Sequence, residues 1–267
     1  MMISFFKQNK WLLMRRISQF IIIAVFLSGP FFGYWIAKGS LAYSLTFDTL
    51  PLFDPLVFLQ YIVSGMDINR EAIIGVVIVV IFYFIVGGRV YCSWVCPVNI
   101  ITDTARWLHN KLGIKTSSNI SKSTRYYLLF VVLILPIVTG IIVWELVNPI
   151  SVLFRGIVYG IGFGWLILLT IFLLDLFVAK DLWCGRLCPV GTFYSLLGKK
   201  SLLKMRADNR DKCNDCLDCY FVCPESKILN PVLKGKEKPF VSSELCTNCG
   251  RCIDVCKEDV FHFGLRG

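Results

Sequence analysis

Charge is scarce in this sequence: 17% of its 267 residues are Asp, Glu, Lys or Arg, where a soluble domain carries about a quarter. With 56% hydrophobic residues and a mean hydropathy of +0.66, that shortage excludes an ordinary soluble chain and points to a bilayer. Histidine is scarcer still. His109 and His262 both fall outside the long apolar stretches, which excludes a haem held by paired histidines inside the membrane, and each reads as a surface residue. A coherent basic patch is missing too. The net charge is +10, but the Lys and Arg residues gather at the ends of apolar stretches, which excludes nucleic acid as a partner. The twelve cysteines are not scattered as in a disulfide-stapled secreted domain. They are grouped, and grouped thiolates point to metal.

Four stretches, at about 17 to 37, 72 to 88, 126 to 146 and 157 to 179, are apolar enough to cross a hydrocarbon layer of about 30 Å, which takes roughly 20 helical residues. The first runs on through Phe31, Phe32, Tyr34 and Trp35 without a small-residue cleavage pattern, so it is expected to stay as a helix, kinked at Gly29-Pro30. Lys7, Lys10, Arg15 and Arg16 precede the first stretch. Arg89, Arg106, Lys111, Lys115, Lys122 and Arg125 join the second to the third, and Lys180, Arg186, Lys199, Lys200, Lys204 and Arg206 follow the fourth. The other two connections hold only Lys38, Arg70 and Arg155. The positive-inside rule then places both termini on the cytoplasmic face of a bacterial inner membrane.

The chain repeats itself. Asp54-Pro55 precedes the second stretch and Asn148-Pro149 the fourth; Cys92-Ser93-Trp94-Val95-Cys96-Pro97 follows the second and Cys184-Gly185-Arg186-Leu187-Cys188-Pro189 the fourth. Two parallel two-span repeats are expected, each with an outer Asx-Pro helix cap and an inner cysteine pair. At a spacing of four, both thiols of a pair would share one helix face, as a redox dithiol or metal site, with buried inert cysteine as the plain alternative. After the first pair, Val98, Ile101, Ala105, Trp107, Leu108 and Leu112 alternate with Asp103, Arg106 and Lys111 as in a helix lying along a membrane surface. Asp54, Glu145 and Asp175 are the acids near or within the stretches, and Asp175 alone lies well inside one.

Cys213, Cys216, Cys219 and Cys223-Pro224 have the spacing by which bacterial ferredoxins hold a four-iron cluster, and Cys246, Cys249, Cys252 and Cys256 repeat it, with Lys257 in place of the proline. The fourth cysteine of each run is aimed at the other cluster. One [4Fe-4S] site is therefore expected from Cys213, Cys216, Cys219 and Cys256, and a second from Cys246, Cys249, Cys252 and Cys223. Structural zinc is the competing reading, but zinc takes two cysteine pairs set apart, whereas each run here crowds four into eleven positions. The intervening segment from Glu225 to Leu245, with Lys227, Lys234, Lys236 and Lys238, reads as a solvated edge. The expected architecture is an α-helical membrane protein, with a four-span domain over residues 1–207 and a small α+β ferredoxin domain holding two [4Fe-4S] clusters over 208–267.

Spans, paired cysteines and ferredoxin runs together resemble the NapH/MauN family of membrane-bound ferredoxin-type subunits, over nearly the whole chain. The resemblance implies a quinol dehydrogenase component that draws on the quinol pool and, with a periplasmic ferredoxin-type partner of the NapG kind, supplies a periplasmic nitrate reductase chain. Relatives with the same cysteine elements serve in enzyme maturation, so two other readings stay open: an electron donor for metal or cofactor maturation working through Cys92, Cys96, Cys184 and Cys188, and a non-catalytic relay or scaffold. A cytoplasmic ferredoxin domain would stand across about 30 Å of hydrocarbon from a periplasmic chain, too far for one tunnelling step.

Overall fold

The protein is described by a computed structural model covering residues 9–114, 120–160, 164–234 and 239–266. Lys7, Lys115, Lys236 and Lys238 lie outside these, as does part of the fourth apolar stretch. In chain order the elements begin with α1 (Lys10–Phe32), a three-stranded meander β1 (Ala37–Gly39), β2 (Tyr43–Thr46) and β3 (Leu50–Phe53), α2 (Pro55–Val63) and α3 (Arg70–Val86). A π-helical turn π1 (Tyr91–Val95), α4 (Val98–Leu112), α5 (Thr124–Thr139), α6 (Val143–Val147), α7 (Pro149–Tyr159) and α8 (Gly164–Leu173) follow. Then come π2 (Leu174–Val178), π3 (Trp183–Leu187), α9 (Pro189–Leu197), β4 (Leu203–Arg206), α10 (Asp218–Val222), α11 (Asn230–Leu233), α12 (Arg251–Val255) and β5 (His262–Leu265). The chain forms two compact units, one from residues 1–19, 82–95 and 194–267 and the other from 20–81 and 96–193.

The repeat is visible in local structure. Asp54 Oδ1 accepts from the amides of Leu56 and Val57 at 2.8 and 3.1 Å to cap α2, and Asn148 Oδ1 accepts from Ile150 N at 3.1 Å to cap α7, each with proline at the first helical position. Each capped helix is followed by a further apolar helix, α3 or α8, and later by a π-helical turn, π1 or π3, that holds the first cysteine of a Cys-x3-Cys pair. Such widened turns are rare and favour functional positions.

The apolar stretches are not uniformly helical. α1 begins earlier than expected and ends at Phe32, so Pro30 lies in its last turn and has little helix left to kink. The third stretch stops at Gly140 and the fourth is interrupted at Gly160, both in left-handed backbone, which glycine adopts without steric cost. Among the described residues, α1 alone is long and apolar enough to cross a membrane unaided. The meander between α1 and α2 gives no clear sequence signal; it pairs Ala37 with Thr46 and Tyr43 with Phe53.

In the unit that carries the ferredoxin motifs, β4 and β5 pair antiparallel from Leu203↔Leu265 to Arg206↔His262. Met205, Ala207, Leu229, Val232, Val241, Val260 and Phe261 form its buried core. Leu229, Val232 and Val241 belong to the segment expected to be a solvated edge. Its lysines marked it as surface, but an apolar set spaced among them faces inward. In the same unit Tyr91 and Tyr194 stack at 4.7 Å, and Gly88 lies so close to Tyr194 that an added Cβ would meet its backbone carbonyl oxygen. Gly88→Ala is expected to cost about 3 kcal/mol, because neither backbone can yield without moving its helix. A urea-unfolding midpoint in detergent checks this.

Candidate iron–sulfur and electron-transfer site

Both four-cysteine runs begin with the same backbone device. Two residues after the first cysteine, Asp215 and Asn248 have φ of 57° and 47°; four after it, Leu217 and Gly250 have φ of 64° and 73°. Each loop bends twice through left-handed backbone before a one-turn helix, α10 or α12, delivers the third cysteine. Glycine fills the fourth position freely in the second run. In the first, Leu217 accepts the steric cost and is 52% exposed.

The loops bring together cysteines distant in sequence. Cys213, Cys216, Cys219 and Cys256 line one cavity, with Tyr220, Leu233, Val260 and Phe261 as apolar wall and Asp215, Asp218, Lys257 and Glu258 as charged groups. Burial pushes the Cys219 thiol up to about 11, with the neighbouring Cys213, Cys216 and Cys256 adding to the shift. Cys252 is raised well above the usual thiol range, first by burial and then by Cys249, Cys246 and Cys223. Burial also raises Cys246, to about 11. Thiols so desolvated stay protonated unless a metal takes the proton's place, so metal loading must release protons. Four thiols around one cavity suit a four-iron cluster, which takes four cysteine thiolates.

The second loop is held by residues near the first cysteine pair. Arg89 Nη1 donates to Leu245 O at 2.9 Å, Ser93 Oγ to Thr247 O at 2.7 Å and Trp94 Nε1 to Asn248 O at 3.1 Å. In return Asn248 Nδ2 donates to Val86 O at 3.1 Å and Leu203 O at 3.2 Å. On the same side, Asp254 of α12 accepts from the amides of Trp11 and Leu12 at 2.9 and 3.1 Å, satisfying donors at the start of α1, and Trp11 packs edge-on against Trp94 and Phe263. Sequence reasoning passed over Arg89, Ser93, Trp94 and Asn248, because nothing in one sequence marks which loop a hydrogen bond will reach.

The paired cysteines do not share a plain helix face. Cys92 sits within π1 and Cys184 within π3, whereas Cys96 and Cys188 lie just past the turns; Cys188 has extended backbone, with φ −69° and ψ 114°. Pro97 and Pro189 impose this, since the residue before proline is driven out of helical conformation. No disulfide joins any of the twelve cysteines. Burial raises the Cys92 thiol, an effect the Arg89 guanidinium partly offsets. Cys184 Sγ lies 3.6 Å from Thr102 Oγ1.

α4 buries Val98, Thr102, Ala105 and His109, leaving Trp107 and Leu112 exposed. His109 is therefore not a surface residue. It completes a stripe at helical spacing that the sequence shows once polar residues are allowed a place in it. His109 Nδ1 lies 2.7 Å from Leu176 O; the carbonyl only accepts, so Nδ1 donates and Nε2 is left as the acceptor. Next to Leu176, Asp175 is fully buried and its Oδ1 accepts from Trp183 N at 2.9 Å. Among the described residues nothing partners His109 Nε2 or Asp175 Oδ2. Arg106 bridges Asp103 and Asp181 in the same unit.

These features define an iron–sulfur protein of ferredoxin type. A family model described as a 4Fe-4S dicluster domain matches residues 204–257, and one described as a 4Fe-4S binding domain matches twice, over 71–115 and 161–207, the two segments with the cysteine pairs. The ferredoxin-type protein NapH of Haemophilus influenzae is 48% identical over 97% of this chain and 91% of its own length. The Escherichia coli NapH is 46% identical over 97% and 90%. The methylamine utilization ferredoxin-type protein MauN of Paracoccus denitrificans is 46% identical over 89% and 84%. The chain belongs to the NapH/MauN family of ferredoxin-type proteins. No solved structure matches it.

Asn248→Ala removes both bonds donated by the Asn248 amide, together with the one its Oδ1 accepts from Cys246 Sγ, and leaves alanine in left-handed backbone. A loss of about 3 kcal/mol is expected, with a fall in iron and sulfide bound per chain, measured by urea unfolding and by iron and sulfide assay.

Proposed function

We propose that this protein is a membrane-bound quinol dehydrogenase component that passes electrons from the quinol pool through two [4Fe-4S] clusters towards a periplasmic nitrate reductase chain, with a NapG-like ferredoxin partner. The clusters would be held by Cys213, Cys216, Cys219 and Cys256 and by Cys246, Cys249, Cys252 and Cys223, and they supply one-electron acceptance for the two electrons of each quinol. Residues 1–207 would form the four-span part and 208–267 the ferredoxin part, with both termini cytoplasmic.

Asp254 carries the membrane reading. It hydrogen-bonds the first turn of α1 from within the last cysteine run, which supports a reading with α1's start and that run on the same side of a bilayer and an even number of crossings between them. Four spans are compatible with that, and a single span is not. Exposed apolar side chains on three of the other helices favour lipid contact: Ile73, Ile74, Val77 and Ile81 on α3, Phe130, Val131, Ile134 and Val138 on α5, and Leu166, Leu169 and Leu173 on α8.

Quinol oxidation gives up two electrons and two protons, and the protons need acceptors away from water. Asp175 Oδ2 and His109 Nε2 are buried acceptors of the required kind, in and beside the π-helical turn 174–178. In this reading each takes one quinol hydroxyl proton, while Trp183 N and Leu176 O hold the carboxylate and the imidazole in place.

The test is an anaerobic titration with a soluble quinol analogue, followed by low-temperature EPR with dithionite as the full-reduction control. Quinol is expected to reduce centres that dithionite also reduces; reduction by dithionite alone would replace quinol with a cytoplasmic donor. Asp175→Asn and His109→Gln are each expected to slow reduction by quinol about 100-fold without altering the dithionite-reduced spectrum. Unchanged rates would remove both residues from the site.

The maturation reading draws support from the second family model, which covers both cysteine pairs. It predicts that Cys92→Ser abolishes activation of a partner enzyme while quinol still reduces both clusters.

A further inference from the structure

The two cluster sites sit in opposite electrostatic surroundings. The cavity of Cys213, Cys216, Cys219 and Cys256 has three acids in its lining, Asp215, Asp218 and Glu258, against Lys257, and Cys216 is exposed. At the other site two cations are buried. Arg89 is 4% exposed and donates to Leu245, the residue before Cys246. Lys204 is 3% exposed; its Nζ donates to Gly198 O at 3.1 Å, and the neighbouring Leu203 O accepts from Asn248 in the cluster loop. Both cations act electrostatically on Cys246, and Glu244 and Arg266 act in turn on Lys204.

Adding an electron to a four-thiolate cluster makes an anionic group more anionic. Burial opposes that step and a nearby cation favours it, so a buried cluster without cations would be the harder one to reduce. Charges shielded from water act with little screening, whereas the exposed acids of the first site face solvent and repel the incoming electron.

We infer that Arg89 and Lys204 set the reduction potential of the site formed by Cys246, Cys249, Cys252 and Cys223, so that the first electron to enter the pair of clusters comes to rest there. The inference rests on the two-cluster assignment and not on quinol as the donor. Both residues are positioning residues: they act on the cluster through its loop and its field.

The experiment is a potentiometric titration of the full-length protein in detergent, with redox mediators and low-temperature EPR, so no quinol is involved. The unmodified protein is expected to show two one-electron waves. Arg89→Gln should move the higher wave to lower potential by at least tenfold in the oxidised-to-reduced ratio, 59 mV for one electron, and leave the lower wave in place. Arg89→Lys, which keeps the charge but not the guanidinium geometry, should return the wave towards its original position. Lys204→Gln should move the same wave in the same direction, and it serves as the test if Arg89→Gln loses its iron. Asp218→Asn should raise the lower wave alone. If charge-removing variants that retain both clusters shift neither wave, shift both equally, or shift the lower one, the inference is overturned; loss of the effect in Arg89→Lys as well would assign it to hydrogen bonding.

Discussion

Three backbone carbonyls along the second cysteine loop, those of Leu245, Thr247 and Asn248, are taken by side chains from one short stretch of chain, Arg89, Ser93 and Trp94. The loop must hold its amides and thiols around a metal group, which leaves these carbonyls without partners in a sheet or helix. An unpaired buried carbonyl is costly, so the partners have to come from elsewhere. The segment after α3, running into π1, supplies them. Around this exchange the rest of the unit is organised: the Gly87-Gly88 turn that lets the chain pass, the tyrosine stack against α9, and the tryptophan pair that seats the start of α1.

Much of the chemistry could be read directly from residue order. Cysteine spacing in the two ferredoxin runs, the Asx-Pro caps at Asp54 and Asn148 and the helix after the first cysteine pair are all local, because a cap, a loop or a helical stripe is decided within a few residues. The meander of residues 37–53 escaped because three- and four-residue strands are stabilised by partners across the hairpin rather than by their own pattern. His109 escaped for a different reason. Polarity argued for the surface, but a ring nitrogen satisfied by a backbone carbonyl can be buried, and only the position of Leu176 reveals that. Pro97 and Pro189 mark where π1 and π3 end, because each drives the residue before it out of helical conformation.

The two cysteine runs solve one backbone problem with different residues. Asparagine and glycine at 248 and 250 enter left-handed conformation readily, whereas aspartate and leucine occupy the matching places at 215 and 217. Aspartate tolerates the conformation through its short polar side chain; leucine does not, and its apolar surface faces outward beside the exposed Cys216. One loop is shaped by conformational ease and enclosed by its own chain. The other holds a strained, outward-facing apolar residue at the more open site.

Asp254, within the second cysteine run, supplies the hydrogen bonds that the first turn of α1 lacks. During synthesis α1 is therefore made long before the residue that completes it. Its leading end keeps two amides unsatisfied until Asp254, 243 residues on from Trp11, has left the ribosome. Loss of the second cysteine run would thus unsettle a helix translated far ahead of it.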